Sequence, residues 1–126
     1  MSAGATVFLV DDEPAMRKAL TRLLQTEGYR IVACSSAEEF LKLPPATGAC
    51  CLVVDVTMPG MGGLGLQQHL ARSGLILPII FLSGRDDIST SVRALKDGAV
   101  DFLTKPVDAS RLLPAVRAAL QRSTAR

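Results

Sequence analysis

Residues 51–63 read CLVVDVTMPGMGG. Cys51–Val54 is an unbroken apolar run that stops at a carboxylate, Asp55, and passes into a loop rich in glycine and proline. A strand with one wet face alternates polar and apolar residues, whereas a strand buried on both faces reads as a continuous apolar run. Working outward, similar short runs recur at Thr6–Val10 (TVFLV), Arg30–Cys34 (RIVAC), Ile79–Leu82 (IIFL) and Phe102–Thr104 (FLT). Longer stretches of helical spacing separate them. Met16, Leu20, Leu23 and Leu24 keep one face, with Pro14 in the first turn and Gly28 as a stop signal. Ala37 to Leu41 makes a short second helix, closed by Pro44-Pro45, and Leu66 to Leu70 centres a third. Ile88, Val92, Leu95 and Ala99 mark a fourth, stopping near Gly98. Leu112, Leu113, Val116 and Leu120 mark a fifth, with Asp108 placed to cap it. Strand and helix alternating five times predict an α/β fold, a doubly wound parallel sheet of order 2-1-3-4-5.

With 126 residues the chain suits one domain, 1–126, with its core at about 6–120 and 121–126 a tail or the start of a linker. Hydrophobic residues make up 48% and charged residues 21%, as in a soluble globular protein. The net charge of +2, spread along the chain, provides no electrostatic case for binding nucleic acid. No apolar run approaches the roughly 20 residues of a membrane span, and the amino terminus lacks a signal-peptide pattern. These features point to a cytoplasmic protein without a membrane partner. Cys34, Cys50 and Cys51 are odd in number, two of them adjacent, and His69 is the lone histidine. Reduced thiols with small-hydrophobe packing roles fit that pattern better than a disulfide framework or a zinc site.

In a doubly wound sheet the working site lies at the carboxyl ends of the strands. There the chain places Asp11, Asp12 and Glu13 after strand one, Asp55 after strand three, Ser83 at the end of strand four and Lys105-Pro106 after strand five. Singly, each has an ordinary structural reading: acids complement a helix dipole, a strand-end carboxylate serves a turn, and most lysines are solvated. Together they bring acids, a hydroxyl and a lysine from four strand ends to one rim, which packing does not require. Clustered carboxylates repel unless a cation joins them, and an all-oxygen site open to water suits Mg2+. Magnesium with lysine and hydroxyl donors around a carboxylate is equipment for phosphoryl transfer.

The segments VFLVDDEP, LVVDVTMPGMGG, IIFLSG and GAVDFLTKP resemble, in order and spacing, the four signature blocks of response-regulator receiver domains, the CheY-like modules of two-component systems. The resemblance runs from about Thr6 to Leu120 and implies a flavodoxin-like fold. It implies that Asp55 is the phosphoacceptor, taking its phosphoryl group from a sensor histidine kinase. It also implies that Asp12 binds magnesium directly, Asp11 largely through water, and Thr57 through its backbone carbonyl. Ser83 would hydrogen-bond the phosphoryl group and Lys105 would pair with it, while Pro106 would follow a cis peptide bond. Phe102 falls at the switch aromatic of the family, and Val92 and Leu95 on the helix that shifts with it. Thr57 and Arg85 occupy variable positions that tune dephosphorylation.

The module would be a signalling domain rather than an enzyme in the ordinary sense, although it catalyses its own phosphorylation and slow dephosphorylation. Its implied partners are the kinase, an effector domain or partner protein, and a second copy of itself after phosphorylation. GAVDFLTKPV, preceded by SVRALK, is most similar to receivers joined to LuxR-type helix-turn-helix domains, and the chain reads as a stand-alone or an excised receiver. Three rivals fit less well. A phosphatase of the haloacid-dehalogenase type needs a second acid where Thr57 stands. A flavodoxin-like electron carrier needs a hydroxyl-rich loop where Asp11 and Asp12 would repel the flavin phosphate. A degenerate receiver acting only as a binding module would not retain every chemical position.

Overall fold

The computed structural model describes residues 4–44, 47–75, 77–84 and 93–124. The strands are β1 (Thr6–Val10), β2 (Arg30–Cys34), β3 (Cys50–Asp55), β4 (Ile79–Ser83) and β5 (Asp101–Thr104). The helices are α1 (Pro14–Gln25), α2 (Ala37–Leu41), α3 (Gly63–Arg72), α4, of which residues 93–96 are described, and α5 (Ala109–Thr124). All strand pairs are parallel and the order is β2-β1-β3-β4-β5. The expected architecture is therefore the observed one. Arg85, Ile88 and Val92 lie outside the described residues.

The apolar runs work as their pattern implies. β1 and β4 are buried along their whole length, and β3 along all but its first residue. Alternate side chains feed two cores. Val7, Leu9, Cys51, Val53, Ile80 and Leu82 pack under α1 and α5. Phe8, Val10, Leu52, Val54 and Phe81 pack under α2, α3 and α4. β2 is an edge strand with Arg30 and Ala33 exposed, so its RIVAC run is only half covered.

α5 continues through Thr124, into the stretch expected as a tail or the start of a linker. Ser123 accounts for part of that extension, because its hydroxyl accepts a hydrogen bond from the Cys50 amide at 3.1 Å and ties the last turn to the start of β3. On α4, Ala94 is fully buried and Leu95 is 47% exposed. A small residue lets α4 lie close to the sheet, and Leu95 is left for the outer surface. The three cysteines are free thiols, and burial pushes the Cys51 thiol up to about 12, so it packs as an inert hydrophobe.

Candidate phosphoacceptor site

The sheet aims its functional side chains by ending strands beside one another. Asp55 is the last residue of β3, paired in register with Leu82 of β4. Ser83 is the last residue of β4, and its carbonyl accepts the Lys105 amide at 2.6 Å. That bond carries the β4–β5 ladder one step past Thr104 and brings Lys105 to the rim. The Lys105-Pro106 peptide is cis, as expected. Asp11 follows β1 directly, and its amide donates to the Cys34 carbonyl of β2 at 3.2 Å. Gly63, opening α3, is fixed by contact: a Cβ there would lie 2.8 Å from the Asp55 carbonyl oxygen and 3.0 Å from the Phe81 ring. Only glycine lets α3 start so close beneath the acid.

Lys105 Nζ lies 2.7 Å from Asp55 Oδ2, 3.3 Å from Asp11 Oδ2 and 4.0 Å from Glu13 Oε1. The other oxygens of the two buried aspartates are also held. Asp55 Oδ1 accepts the Thr57 amide at 3.0 Å and Asp11 Oδ1 accepts the Glu13 amide at 2.9 Å. Burial by itself would lower the lysine pKa, but the hydrogen bond it donates to Asp55 and the charges of Asp11 and Asp55 outweigh it and raise the pKa overall. Lys105 is thus a permanent ammonium at neutral pH.

Among the described residues, one cation does not balance the three aspartates of this rim. Asp11, Asp12 and Asp55 bring −3 and Lys105 brings +1, which leaves −2. Each of the three acids offers a carboxylate oxygen within 4.8 Å of the others, a spacing that one ion can bridge. The donor set is all oxygen, which fits a hard divalent cation such as Mg2+. Asp12 is exposed and so remains open to a ligand, whereas Asp11 is fully buried with both oxygens engaged. Asp12→Ala should therefore raise the magnesium concentration needed for half-saturation by about tenfold or more. Because the change also relieves repulsion among acids, the metal-free variant should melt no lower than wild type. Titration followed by amide shifts, with melting in chelator, checks both. Unchanged affinity would remove Asp12 from the metal site.

Asp11, Asp12, Asp55 and Lys105 come together at this rim, the Thr57 amide joins them through Asp55, and Ser83 ends the neighbouring strand. Phe102 stands apart from them, half-buried, with its ring centroid 6.2 Å from that of Phe81. Arg17 was not legible from the pattern. Its guanidinium donates to the Asp11 carbonyl at 2.7 Å and so stiffens the turn that carries Asp11 and Asp12. The one available signal was its place on α1, six residues beyond Asp11, which an ordinary solvated arginine would share.

The comparisons with known proteins agree with this geometry. The family model for the response regulator receiver domain matches residues 7–117. Nodulation protein W of Bradyrhizobium diazoefficiens is 46% identical over 125 residues, 99% of this chain and 55% of that protein. The transcriptional regulatory protein FixJ of Azorhizobium caulinodans is 38% identical over 123 residues, 98% of this chain and 58% of that protein. The chain thus spans somewhat more than half the length of these two relatives. The crystal structure of FixJ-N superimposes with a TM-score of 0.85 at 36% identity, covering 93% of this chain and 94% of that one. A match over most of the sequence, relatives that are themselves regulators and a shared five-stranded fold lead to one conclusion: the chain belongs to the response regulator receiver domain family.

Proposed function

We propose that Asp55 accepts a phosphoryl group from the phosphohistidine of a sensor kinase, in a magnesium-dependent reaction that the receiver itself catalyses. The observation that carries this reading is the hold on Asp55. One oxygen is fixed by the Thr57 amide, the other by Lys105, and two further acids stand within metal-bridging distance. A carboxylate oxygen of Asp55 attacks phosphorus and forms the acyl phosphate as the P–N bond breaks. The imidazole nitrogen keeps the electron pair and picks up a proton. Magnesium, when bound, would neutralise charge on the transferring group, held by Asp12 and Asp55, by the Thr57 carbonyl, and by Asp11 through water. Lys105 is positioned to exchange its bond to Asp55 for one to a phosphoryl oxygen. Ser83, buried at the neighbouring strand end, is the hydroxyl that would meet a second oxygen. Transfer from acetyl phosphate in the presence of magnesium tests the reading, with one base-labile phosphoryl group per chain expected by intact mass.

Such a module reports through its surface. Ser83 drawn toward the phosphoryl group would vacate space beside Phe102, whose half-buried ring already leans on Phe81. That motion would repack the face formed by α4, β5 and α5, where Leu95 is exposed. The relatives' names describe transcriptional regulators longer than this chain, so the face is proposed to serve a DNA-binding output domain or a second receiver, and the chain itself needs no contact with DNA. Among the described residues no helix is long and apolar enough to cross a membrane. On this reading the domain works in the cytoplasm, where ATP charges the kinase. Beryllofluoride with magnesium, which mimics the phosphoryl group, should shift a mainly monomeric sample toward dimer in light scattering. Amide shifts should spread over Leu95 and Phe102. An unchanged monomer without such shifts would sink the switch while leaving Asp55 in place.

A further inference from the structure

We propose that Glu38 on α2 is a positioning residue for the loop that follows the phosphoacceptor, holding it in the shape that presents Thr57 to the metal. The proposal rests on the reading of Asp55 and Thr57 given above. The loop of residues 56–62 is tied at its inner end by two bonds, Thr57 amide to Asp55 Oδ1 at 3.0 Å and Gly63 amide to the Val56 carbonyl at 3.0 Å. At its outer end the Met61 amide donates to Glu38 Oε2 at 3.1 Å, across 23 residues of sequence.

The two acids in the first turn of α2 divide their work. Glu39 serves its own helix, accepting the hydroxyl of Ser35 at 3.2 Å and also the Ser35 amide, while Ser36 caps the Glu39 amide at 3.0 Å. Glu38 serves the loop instead. Its carboxyl is held below the usual range chiefly by the Met61 amide, the mark of a bond made to the charged form. Gly60 makes room for it. With φ at +74°, it occupies the left-handed region, and a Cβ there would lie 2.9 Å from Glu38 Oε2. α2 is a firm post for such a tie, because Ala37 and Phe40 are buried in the same core as Met58 of the loop. Fixing both ends of a short loop lowers the ordering cost that magnesium binding would otherwise carry.

Glu38→Ala and Glu38→Gln are titrated with magnesium alone and followed by the amide signals of Asp55, Thr57 and Met61. Glu38→Ala should raise half-saturation by about three- to tenfold, the loss expected of one charge-assisted hydrogen bond. Glu38→Gln retains an acceptor and should recover most of that loss. The Met61 amide proton should move upfield in the alanine variant and much less in the glutamine variant. Both proteins should melt within about 2 °C of wild type without metal, since the site is exposed. Wild-type affinity in Glu38→Ala overturns the proposal. So does an equal loss in both variants, which would assign the effect to charge at a distance. If wild type itself shows no saturable shifts at Asp55 and Thr57, the metal site fails first. That result is distinct from a normal wild-type titration with an indifferent Glu38.

Discussion

Asp55→Asn should abolish phosphorylation: with magnesium and acetyl phosphate, wild type should take up one phosphoryl group per chain and the variant none. An amide has no anionic oxygen to attack phosphorus and cannot form the acyl phosphate. Removing a covalent nucleophile costs at least about three orders of magnitude in rate. The substitution gives up the oxygen that accepts from Lys105, which keeps Asp11 as its partner, and otherwise preserves the side chain's shape. Asparagine matches aspartate in size and keeps an oxygen for the Thr57 amide. The charge left on the rim falls from −2 to −1, so less repulsion remains among Asp11, Asp12 and residue 55. The variant should therefore fold, and its amide spectrum should differ from wild type mainly around the rim. Residual labelling at the wild-type rate would move the acceptor to another acid, and Asp12, as the exposed one, would be next to test.

Much of this site was legible because strand ends are legible. A buried strand declares itself by its apolar run, so TVFLV, CLVV and IIFL fixed where β1, β3 and β4 lie, and the next polar residue of each had to face the rim. Matching blocks then supplied Thr57, Phe102 and Pro106, which no periodicity singles out. The pairing of Lys105 with Asp11 spans 94 residues and follows only once strand order and register are known. Arg17 and Glu38 escaped for a different reason. Both are charged side chains on amphipathic helices, and before folding their pattern is that of a solvated face. What separates them from their neighbours is a backbone group brought within reach from another segment, the Asp11 carbonyl for one and the Met61 amide for the other. On α4, close packing on the sheet selects Ala94, the smaller residue, for the buried position, a choice that periodicity alone does not make.

Lys105→Ala should weaken both the fold and the chemistry, and magnesium should rescue only the first. Among the described residues this lysine is the cation paired with both Asp11 and Asp55, whose side chains are 0% and 9% exposed. Breaking a buried ion pair from one side leaves charge uncompensated, at a cost of about 3 kcal/mol, near the lower end for such losses. For a domain of this size that corresponds to a fall in melting temperature of roughly 10 °C in chelator. Magnesium binding the same acids replaces the missing charge, so the variant should be stabilised more by added magnesium than wild type is. Lys105→Met, which retains most of the aliphatic stem, should behave alike if charge and not packing is responsible. Phosphorylation should remain slower by about a hundredfold or more even at saturating magnesium, because a preorganised donor to the transferring group is gone. Ser83→Ala separates the two roles. It removes no charge, so it should melt close to wild type and still take up the phosphoryl group, yet lose the beryllofluoride-induced association. A Lys105→Ala protein as stable as wild type in chelator would show that the short contacts to Asp11 and Asp55 contribute nothing to the fold. Full-rate phosphorylation of the same variant would remove Lys105 from the reaction as well.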